Sequence, residues 1–187
     1  MTEGPSELLS TLRSSLEAAA IPFMVVGSYA SMAHGHPRTT HDLDIVIDPT
    51  PAALDVFLAG LDLNRFYVDT DVARDALVRR SMFNLIDMNS AWKVDFVIRK
   101  DRPFSVEELQ RRVVMPIADV DAPTATAEDT VIAKLEWAKL GGSERQLSDV
   151  AGVLRVRAGS LDLDYIERWV DVLDLRDQWN AARTLAS

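Results

Sequence analysis

Residues 42–48 read Asp-Leu-Asp-Ile-Val-Ile-Asp, and the alternation of acidic and apolar side chains at their start predicts a β-strand. Successive side chains of a strand point to opposite faces, so Asp42 and Asp44 share one face while Leu43 points to the core. Two carboxylates on one face repel each other unless a cation lies between them. Hard cations such as Mg2+ or Mn2+ bind carboxylate oxygens and keep positions open for phosphates. Asp42 and Asp44 are therefore candidate metal ligands, with two exposed acids on an edge strand as the alternative.

A second predicted strand, residues 91–98, carries a single acidic residue, Asp95, in a mostly apolar stretch. Because an unpaired buried carboxylate is costly, Asp95 needs a partner. If this strand lies beside residues 42–48, Asp95 completes a site of three carboxylates, of the kind that binds metal ions during phosphoryl transfer. Asp95 would then also be the base that takes the proton from an acceptor hydroxyl. The alternative partner of Asp95 is Lys93, which lies on the same face of its strand.

The turn Gly27-Ser28 follows a predicted buried strand, residues 21–26, and precedes a short predicted helix, residues 29–33. Free backbone N–H groups, the positive end of a helix and a hydroxyl meet at this point, which is an anion-binding arrangement. Gly27 lets the backbone approach a phosphate, and Ser28 can donate a hydrogen bond to it. A plain turn after a strand has the same sequence, so the turn indicates a nucleotide site only in combination with the acids.

Working outward, the chain divides at the stretch Asp121-Ala-Pro-Thr-Ala-Thr, which is typical of a linker. Before it, we predict helices over residues 6–20, 51–59, 71–79 and 105–112, and further strands over residues 82–88 and 113–118. After it, we predict only helices, over residues 127–140, 143–157, 161–173 and 175–186. The sequence thus predicts an α+β fold: a small mixed sheet flanked by helices in residues 1–121, and an all-helical C-terminal region in residues 122–187.

Composition limits the class of protein. The chain has 187 residues, 48% of them hydrophobic, which is ordinary for a globular domain with a helical appendage. No apolar run is long enough to span a bilayer and the first residues lack a signal-like stretch, so we expect a cytoplasmic protein that does not bind membranes. The absence of cysteine excludes thiolate metal sites and a cysteine nucleophile. A net charge of −9 argues against unspecific adhesion to nucleic acid, although one stretch is locally basic: Arg99, Lys100, Arg102, Arg111 and Arg112.

The ordered set of Gly27-Ser28, Asp42-Leu43-Asp44-Ile45 and a later Asp95 resembles the pattern of the nucleotidyltransferase superfamily, which has the polymerase-β-like fold. That pattern is a Gly-Gly or Gly-Ser turn, an Asp-x-Asp or Asp-x-Glu pair, and a third acid. The resemblance implies an NTP such as ATP as substrate and Mg2+ or Mn2+ at the three acids. It also implies transfer of a nucleoside monophosphate with release of pyrophosphate. The stretch Arg38-Thr39-Thr40-His41 resembles the family too, which adds Arg38 and Thr40 to the implied nucleotide-binding residues.

Residues 127–135, followed by Arg145 and Asp149, resemble the AbiEii-type toxin nucleotidyltransferases and their uncharacterised relatives. In that group a helical C-terminal region packs on the active-site cleft and contributes a Lys and a downstream Asp. The resemblance implies that Lys134 binds the nucleotide phosphates, for which a Lys is a good point charge, and that Asp149 orients the nucleotide or other site residues. It also implies an RNA acceptor and an antitoxin or toxin partner protein. The alternative is that both are ordinary exposed helix residues.

Other functions stay open at this point. The acceptor hydroxyl could belong to a protein, or to a small molecule such as an aminoglycoside, rather than to RNA. The chain could also be a non-catalytic nucleotide-binding or antitoxin-like module, although all three acids are present. A two-metal nuclease would use similar carboxylates, but it has no triphosphate for the Gly27-Ser28 turn to bind.

Several polar residues near the acids have ordinary interpretations. His34, His36 and His41 lack the spacing of a zinc site and are interpreted as loop or cap residues. Asp48 stands directly before Pro49 and is interpreted as a helix cap. No motif in the sequence therefore points to a metal other than the hard cation at the three acids.

Overall fold

The computed structural model describes residues 4–35 and 39–187. Its strands are β1 (Phe23–Val25), β2 (Asp42–Ile47), β3 (Phe66–Val68), β4 (Met82–Asp87), β5 (Trp92–Ile98), β6 (Val113–Ile117) and β7 (Val120–Thr124). Its helices are α1 (Pro5–Ala18), α2 (Gly27–Ala33), α3 (Pro51–Ala59), α4 (Thr70–Arg79), α5 (Pro103–Arg111), α6 (Ala127–Gly141), α7 (Glu144–Val156), α8 (Leu163–Val172) and α9 (Arg176–Ala186). The strands of these described ranges form one mixed sheet in the order β3-β4-β5-β2-β1-β7-β6, which confirms the predicted α+β class.

The centre of the sheet is the parallel pair of β2 and β5, which sets Asp44 opposite Asp95 and Asp42 opposite Lys93. The expectation that these two strands are neighbours is confirmed. Side chains alternate as the sequence predicts, since Leu43 is only 2% exposed on the face opposite to the acids. On the outer sides of this pair, β1 runs antiparallel to β2 and β4 runs antiparallel to β5.

Three helices, α1, α3 and α4, cover the apolar face of the sheet and form the main core with it. Helix α1 shows why: four leucines at helical spacing, each no more than 1% exposed, point into this core (Leu8, Leu9, Leu12 and Leu16). Replacing one such leucine by alanine typically costs about 2–5 kcal/mol of stability. The opposite face of the sheet, which carries Asp44, is not covered by these three helices.

On that opposite face, the side chains of Met24, Val46, Leu109 and Ala125 form a small cluster, so α5 packs against β1 and β2. The helices α6 to α9 share a separate core to which α5 contributes Phe104, in edge contact with Trp169 at 5.2 Å between ring centroids. Helix α5 therefore connects the sheet to the helical region.

Helix α6 is fixed at both ends and along its buried side. The Thr126 hydroxyl caps it by accepting a hydrogen bond from the Asp129 backbone N–H at 3.2 Å, and Gly142 ends it in the left-handed conformation. The fully buried Asp129 carboxylate accepts hydrogen bonds from the Tyr165 hydroxyl at 2.6 Å and from Arg111 at 3.2 Å. These bonds tie α6 to α8 and α5, so the wall that α5 and α6 build over the sheet is firmly held.

The predicted linker at residues 121–126 was wrong: most of it is β7, which pairs in parallel with β1 at Val25 and Thr124 and antiparallel with β6. Its Ala, Pro and Thr content indicated a loop, but pairing within a sheet overrides weak local preferences. The strand crosses the boundary between residues 1–121 and 122–187, and that division into two regions stays a prediction. None of the described helices is long and apolar enough to cross a membrane.

Two smaller differences concern β3 and Asp48. Strand β3 was not predicted, because three residues are too few to show an alternating pattern. Asp48 does not cap α3; its carboxylate pairs with Arg99 at 2.8 Å and with Arg80 at 3.2 Å, and Thr50 caps the helix instead.

Candidate active site

The Gly27-Ser28 turn lies against the acid of β2. The chain leaves β1 with the Val26 N–H bonded to the Asp44 carbonyl oxygen at 2.9 Å, and Gly27 then takes a positive φ of 63°. A Cβ atom on Gly27 would come within 2.0 Å of Asp44 Oδ2, so only glycine fits here. The Ser28 backbone N–H donates a hydrogen bond to the Asp44 carboxylate. The structure therefore brings together the turn and the acid that the sequence singled out separately.

The pKa of the Asp44 carboxyl is raised, and burial is the largest cause. Loss of water contact raises the pKa of the Asp44 carboxyl, and the negative charge of Asp95 raises it further. The ammonium group of Lys134 and the Ser28 hydrogen bond act against this rise. Asp42, which lies two residues before Asp44 on the same face of β2, is exposed to solvent. The acidic pair is thus one carboxylate at the surface and one inside the cleft.

Asp95 is 8% exposed and has two protein partners. Its Oδ2 pairs with Lys93 Nζ at 3.0 Å, and its Oδ1 accepts a hydrogen bond from the amide of Asn84, which lies opposite it on β4. Both predictions for Asp95 are therefore realised: it lies next to Asp44 and it forms the ion pair with Lys93. Asn84 was missed, since only the strand register reveals it.

The three acids suit a hard divalent cation by chemistry, because they offer only carboxylate oxygens on one face of two adjacent strands. Among the described residues, however, no three His, Cys, Asp or Glu side chains are arranged as a group that could hold a metal ion. Both carboxylate oxygens of Asp95 face a protein donor, Lys93 or Asn84. Asp44 lines the cavity, and Asp42 is exposed to solvent.

Helix α6 brings Lys134 to the same cleft. Lys134 is 4% exposed, and its Nζ pairs with Asp149 Oδ2 at 2.7 Å and with Gln146 Oε1 at 3.0 Å. The alternative of two exposed helix residues was wrong, because Asp149 is also buried, at 3% exposed. Lys134 lines the cavity together with Asp44, whereas Asp149 lies behind Lys134 and fixes it. Buried charges of this kind are stable only when paired.

The remaining residues that the sequence analysis named are those of the loop before β2 and the histidines. Arg38 and His36 lie outside the described residues. The Thr40 hydroxyl accepts a weak hydrogen bond from the Asp42 N–H at 3.3 Å, so it supports the start of β2. His34 is the C-terminal cap of α2, as one of the two interpretations had it, and is buried, with its Nε2 2.7 Å from the Ala125 carbonyl oxygen. His41 stacks on Trp92.

A cavity of about 390 Å3 opens between the acidic face of the sheet and the wall formed by α5 and α6. Its lining includes five of the residues discussed above: Gly27, Ser28, Asp44, Asp95 and Lys134. It continues along β2 and β5 past Val46 and Val97 to Arg99, and four residues of strand correspond to about 13 Å. The cavity is thus long enough to hold a ligand that reaches well beyond the acids.

The wall of this cavity contains a buried acid that the sequence analysis did not single out. Glu108 of α5 is 7% exposed and makes no hydrogen bond or ion pair with any described residue. Burial, followed by the negative charge of Asp129, raises the pKa of the Glu108 carboxyl to about 8. Helical spacing alone could not reveal this residue, because its burial depends on how α5 packs against α6.

No protein-family model matches the sequence, and no curated protein matches it. Several solved structures are similar to this one, among them the following three. The antibiotic-resistance factor ANT(2″)-Ia, solved in complex with adenylyl-2″-tobramycin, is 13% identical with a TM-score of 0.56, covering 93% of this chain and 98% of its own. An antigenic nucleotidyltransferase-like protein from Paracoccidioides brasiliensis is 16% identical with a TM-score of 0.55, covering 95% and 91%. The lincosamide antibiotic adenylyltransferase LnuA, with lincomycin bound, is 11% identical with a TM-score of 0.53, covering 83% and 99%.

Identities this low establish the fold and not the activity. The predicted α+β architecture is nevertheless confirmed at the level of the whole chain, because each likeness covers most of both proteins. The chain has the nucleotidyltransferase fold.

Proposed function

We propose that this protein is a metal-dependent nucleotidyltransferase that moves a nucleoside monophosphate from an NTP to an acceptor hydroxyl. The observation that carries the proposal is the strand register that sets Asp44 beside Asp95, on the sheet face that lines the cavity. Gly27, Ser28 and Lys134 line the same cavity. The nucleotidyltransferase fold is consistent with this combination of acids, turn and buried cation. Such an enzyme works where NTP is abundant, in agreement with the expected cytoplasmic location.

In this proposal the side chains of the cleft divide into metal ligands and phosphate-binding groups. Asp42 and Asp44 hold Mg2+ or Mn2+, and Asp95 completes the ligand set by exchanging its contact with Lys93. The cation, when bound, neutralises the phosphate charges and favours departure of pyrophosphate. Lys134 binds a phosphate oxygen through its ammonium group, and Asp149 and Gln146 hold it in position. Gly27 and Ser28 leave room for the phosphates beside Asp44.

The reaction balances with these groups alone. The acceptor oxygen forms a bond to the α-phosphorus of the NTP while the bond from that phosphorus to the β-phosphate oxygen breaks. Pyrophosphate leaves, and the proton of the acceptor hydroxyl passes to the Asp95 carboxylate. Positioning and neutralisation of charge are the main demands of such a transfer.

We propose a small molecule as the acceptor. ANT(2″)-Ia was solved with an adenylylated antibiotic and LnuA is an antibiotic adenylyltransferase, and both share the fold of this chain. The net charge of −9 also disfavours RNA as a partner. The second candidate is the toxin-like function, with an RNA acceptor and an antitoxin partner. The buried ion pair of Lys134 and Asp149 at the cleft supports this candidate. A modified protein hydroxyl is the third outcome of the test.

The test uses each α-labelled NTP with Mg2+ or Mn2+ and separate pools of aminoglycosides and lincosamides, tRNA, and total protein. Label in the antibiotic pool supports the proposed acceptor, and label in the tRNA pool supports the toxin-like function. Asp44→Asn is the matched control, since it keeps the shape of the side chain and removes its charge. Bound NTP without any transfer would favour a non-catalytic nucleotide-binding module.

A further inference from the structure

Helix α6 presents an exposed aromatic ring to the cavity. Trp137 is 52% exposed, whereas the other three tryptophans of the sequence are buried or half-buried. Two further exposed apolar side chains line the same cavity, Leu140 at 67% and Met82 at 40%. Single exposed apolar residues are ordinary on a protein surface, but a group of them around one cavity is typical of a ligand-binding groove. These three side chains therefore indicate a ligand that covers them.

The spacing along α6 relates this ring to the phosphate end of the cavity. Trp137 comes three residues after Lys134, so it lies on the next turn of the same side of the helix, about 4.5 Å farther along the axis. Ala133 and Leu140 line the cavity on that side as well. Helix α6 therefore carries an ammonium group and then an apolar ring, in the order in which a nucleotide carries its phosphates and its base.

The ion pair between Arg102 and Glu136 shows where this stretch of α6 lies along the cavity. Arg102 follows β5, so it lies beyond the end of that strand. Its partner Glu136 is the sequence neighbour of Trp137. The charge of Lys134, by contrast, acts on Asp44. The aromatic ring therefore belongs to the end of the cavity away from the acids, while the ammonium group of Lys134 lies near them.

Apolar surfaces face each other in this part of the cavity. Val46 and Val97 form the floor on the sheet, and Met82 lies beside Val97 on β4. Trp137 lines the opposite wall. A planar heteroaromatic ring suits such a slot, because both of its faces meet apolar surface there. Ligand pockets are typically about 300–1,000 Å3, so a cavity of about 390 Å3 has room for one nucleotide.

We propose that Trp137 is the platform on which the nucleobase of the NTP stacks, with Met82 and Leu140 covering the rest of the base. The inference rests on the proposed function, because the phosphates must lie at Lys134 and the Gly27-Ser28 turn for the base to reach the ring. Stacking uses the face of a base, which every base has, and not its hydrogen-bonding edge. This subsite therefore favours purines over pyrimidines through their larger rings, and discriminates little between adenine and guanine.

The acceptor has another side of the acids open to it. Asp95 lies opposite Asn84 on β4, and two residues farther on the same face Ile86 lies opposite Tyr67 on β3. Asn84, Ile86 and Tyr67 are all exposed. An acceptor can therefore reach Asp95 over this part of the sheet without passing Trp137, so the ring is left for the base.

The experiment measures binding of ATP and of inorganic tripolyphosphate to the full chain, with Mg2+, by calorimetry and by tryptophan fluorescence. In the wild type, ATP should quench part of the fluorescence and tripolyphosphate should not, since only ATP has a base to stack. Trp137→Ala should weaken ATP about fivefold to 100-fold, because the stacking surface is lost, and leave tripolyphosphate unchanged. Trp137→Phe keeps a ring, so it should bind ATP nearly as tightly as the wild type and lose the quenching.

Trp92→Phe is the control for the fluorescence signal, because Trp92 is half-buried whereas Trp169 and Trp179 are buried. This control should keep the quenching by ATP, and loss of the quenching here together with its survival in Trp137→Phe would overturn the inference. Since Trp137 is half exposed, its replacement should leave the protein folded.

The affinities of Trp137→Ala decide the remaining outcomes. Unchanged ATP affinity refutes the base subsite, and a raised acceptor KM in that variant would then assign the ring to the acceptor. Equal weakening of ATP and tripolyphosphate refutes it too, since the ring would then support the phosphate site. Transfer of label is read separately. Transfer by a variant with unchanged ATP affinity refutes the base subsite alone, whereas the expected loss of ATP affinity without transfer by the wild type to any acceptor refutes the proposed function alone.

Discussion

Glu108 makes the stability of the folded protein depend on pH, and Glu108→Gln should remove that dependence. The pKa of its carboxyl rises from 4.5 to about 8 on folding, because the group is buried without a partner among the described residues. Between these two pH values the folded state keeps a proton that the unfolded state has released. The free energy of unfolding therefore falls as the pH rises through this window. Glutamine has a similar shape and no charge, so the variant lacks this loss.

The magnitude follows from the size of the pKa shift, since each unit corresponds to about 1.4 kcal/mol. Relative to Glu108→Gln, the wild type should lose about 1 kcal/mol at pH 5, about 3 kcal/mol at pH 7 and about 5 kcal/mol at pH 9. Above the folded-state pKa both states are ionised, and the difference stops growing. Against a typical total stability of about 5–15 kcal/mol, a change of this size is readily measured.

Urea unfolding followed by tryptophan fluorescence at pH 5, 7 and 9 measures the difference between the two proteins. Glu107→Gln is the control, because Glu107 lies on the same helix, is partly exposed and pairs with Arg168, and exposed ion pairs contribute only about 0–1 kcal/mol. A stability difference between wild type and Glu108→Gln that stays constant from pH 5 to pH 9 would refute the reasoning. It would mean that Glu108 reaches water or a partner in solution.

Two further substitutions test the packing of the cleft. Gly27→Ala should destabilise the protein by at least about 1–2 kcal/mol and abolish NTP binding, because the positive φ disfavours alanine and the new methyl group meets the Asp44 carboxylate. Calorimetry with urea unfolding checks this against Gly141→Ala, whose methyl group would meet nothing within 4 Å. Lys134→Met should cost about 1.5–3 kcal/mol, because it removes the charged hydrogen bond between Lys134 and the buried Asp149. The double variant with Asp149→Leu should recover part of that loss in urea unfolding, and a double variant no more stable than the single one would contradict the pairing.

The centre of the fold was predictable because its signal is local and strong. Alternation of Leu43 and Ile45 with the acids fixes which side of β2 is buried, and the same period in β5 fixes the side of Asp95. The register between the two strands was an assumption that the structure confirms. Strand β7 escaped prediction because its identity comes from pairing with β1 and β6, and its own residues favour a turn.

The site was predictable only in part, for physical reasons of the same kind. Motif spacing pointed to Gly27 and Asp44, but it carries no information on the side chains that approach them from other elements. Asn84 reaches Asp95 through the register of β4, and Glu108 is buried through the packing of α5 on α6. Lys134 was suggested by a family resemblance alone, and the roles of all these residues stay predictions until activity is measured.

Nucleotidyl transfer itself is tested most directly with two labels on one NTP. One label is on the α-phosphate of the NTP and the other is on its γ-phosphate. With Mg2+ and the acceptor pool that becomes labelled in the first test, the wild type should transfer the α-label to the acceptor. It should release the γ-label as pyrophosphate in an equal amount. Asp44→Asn should bind the acceptor and give neither product. Release of the γ-label as inorganic phosphate, or equal transfer by Asp44→Asn, would contradict the assignment of the acids on β2 and β5 as the centre of a nucleotidyltransferase.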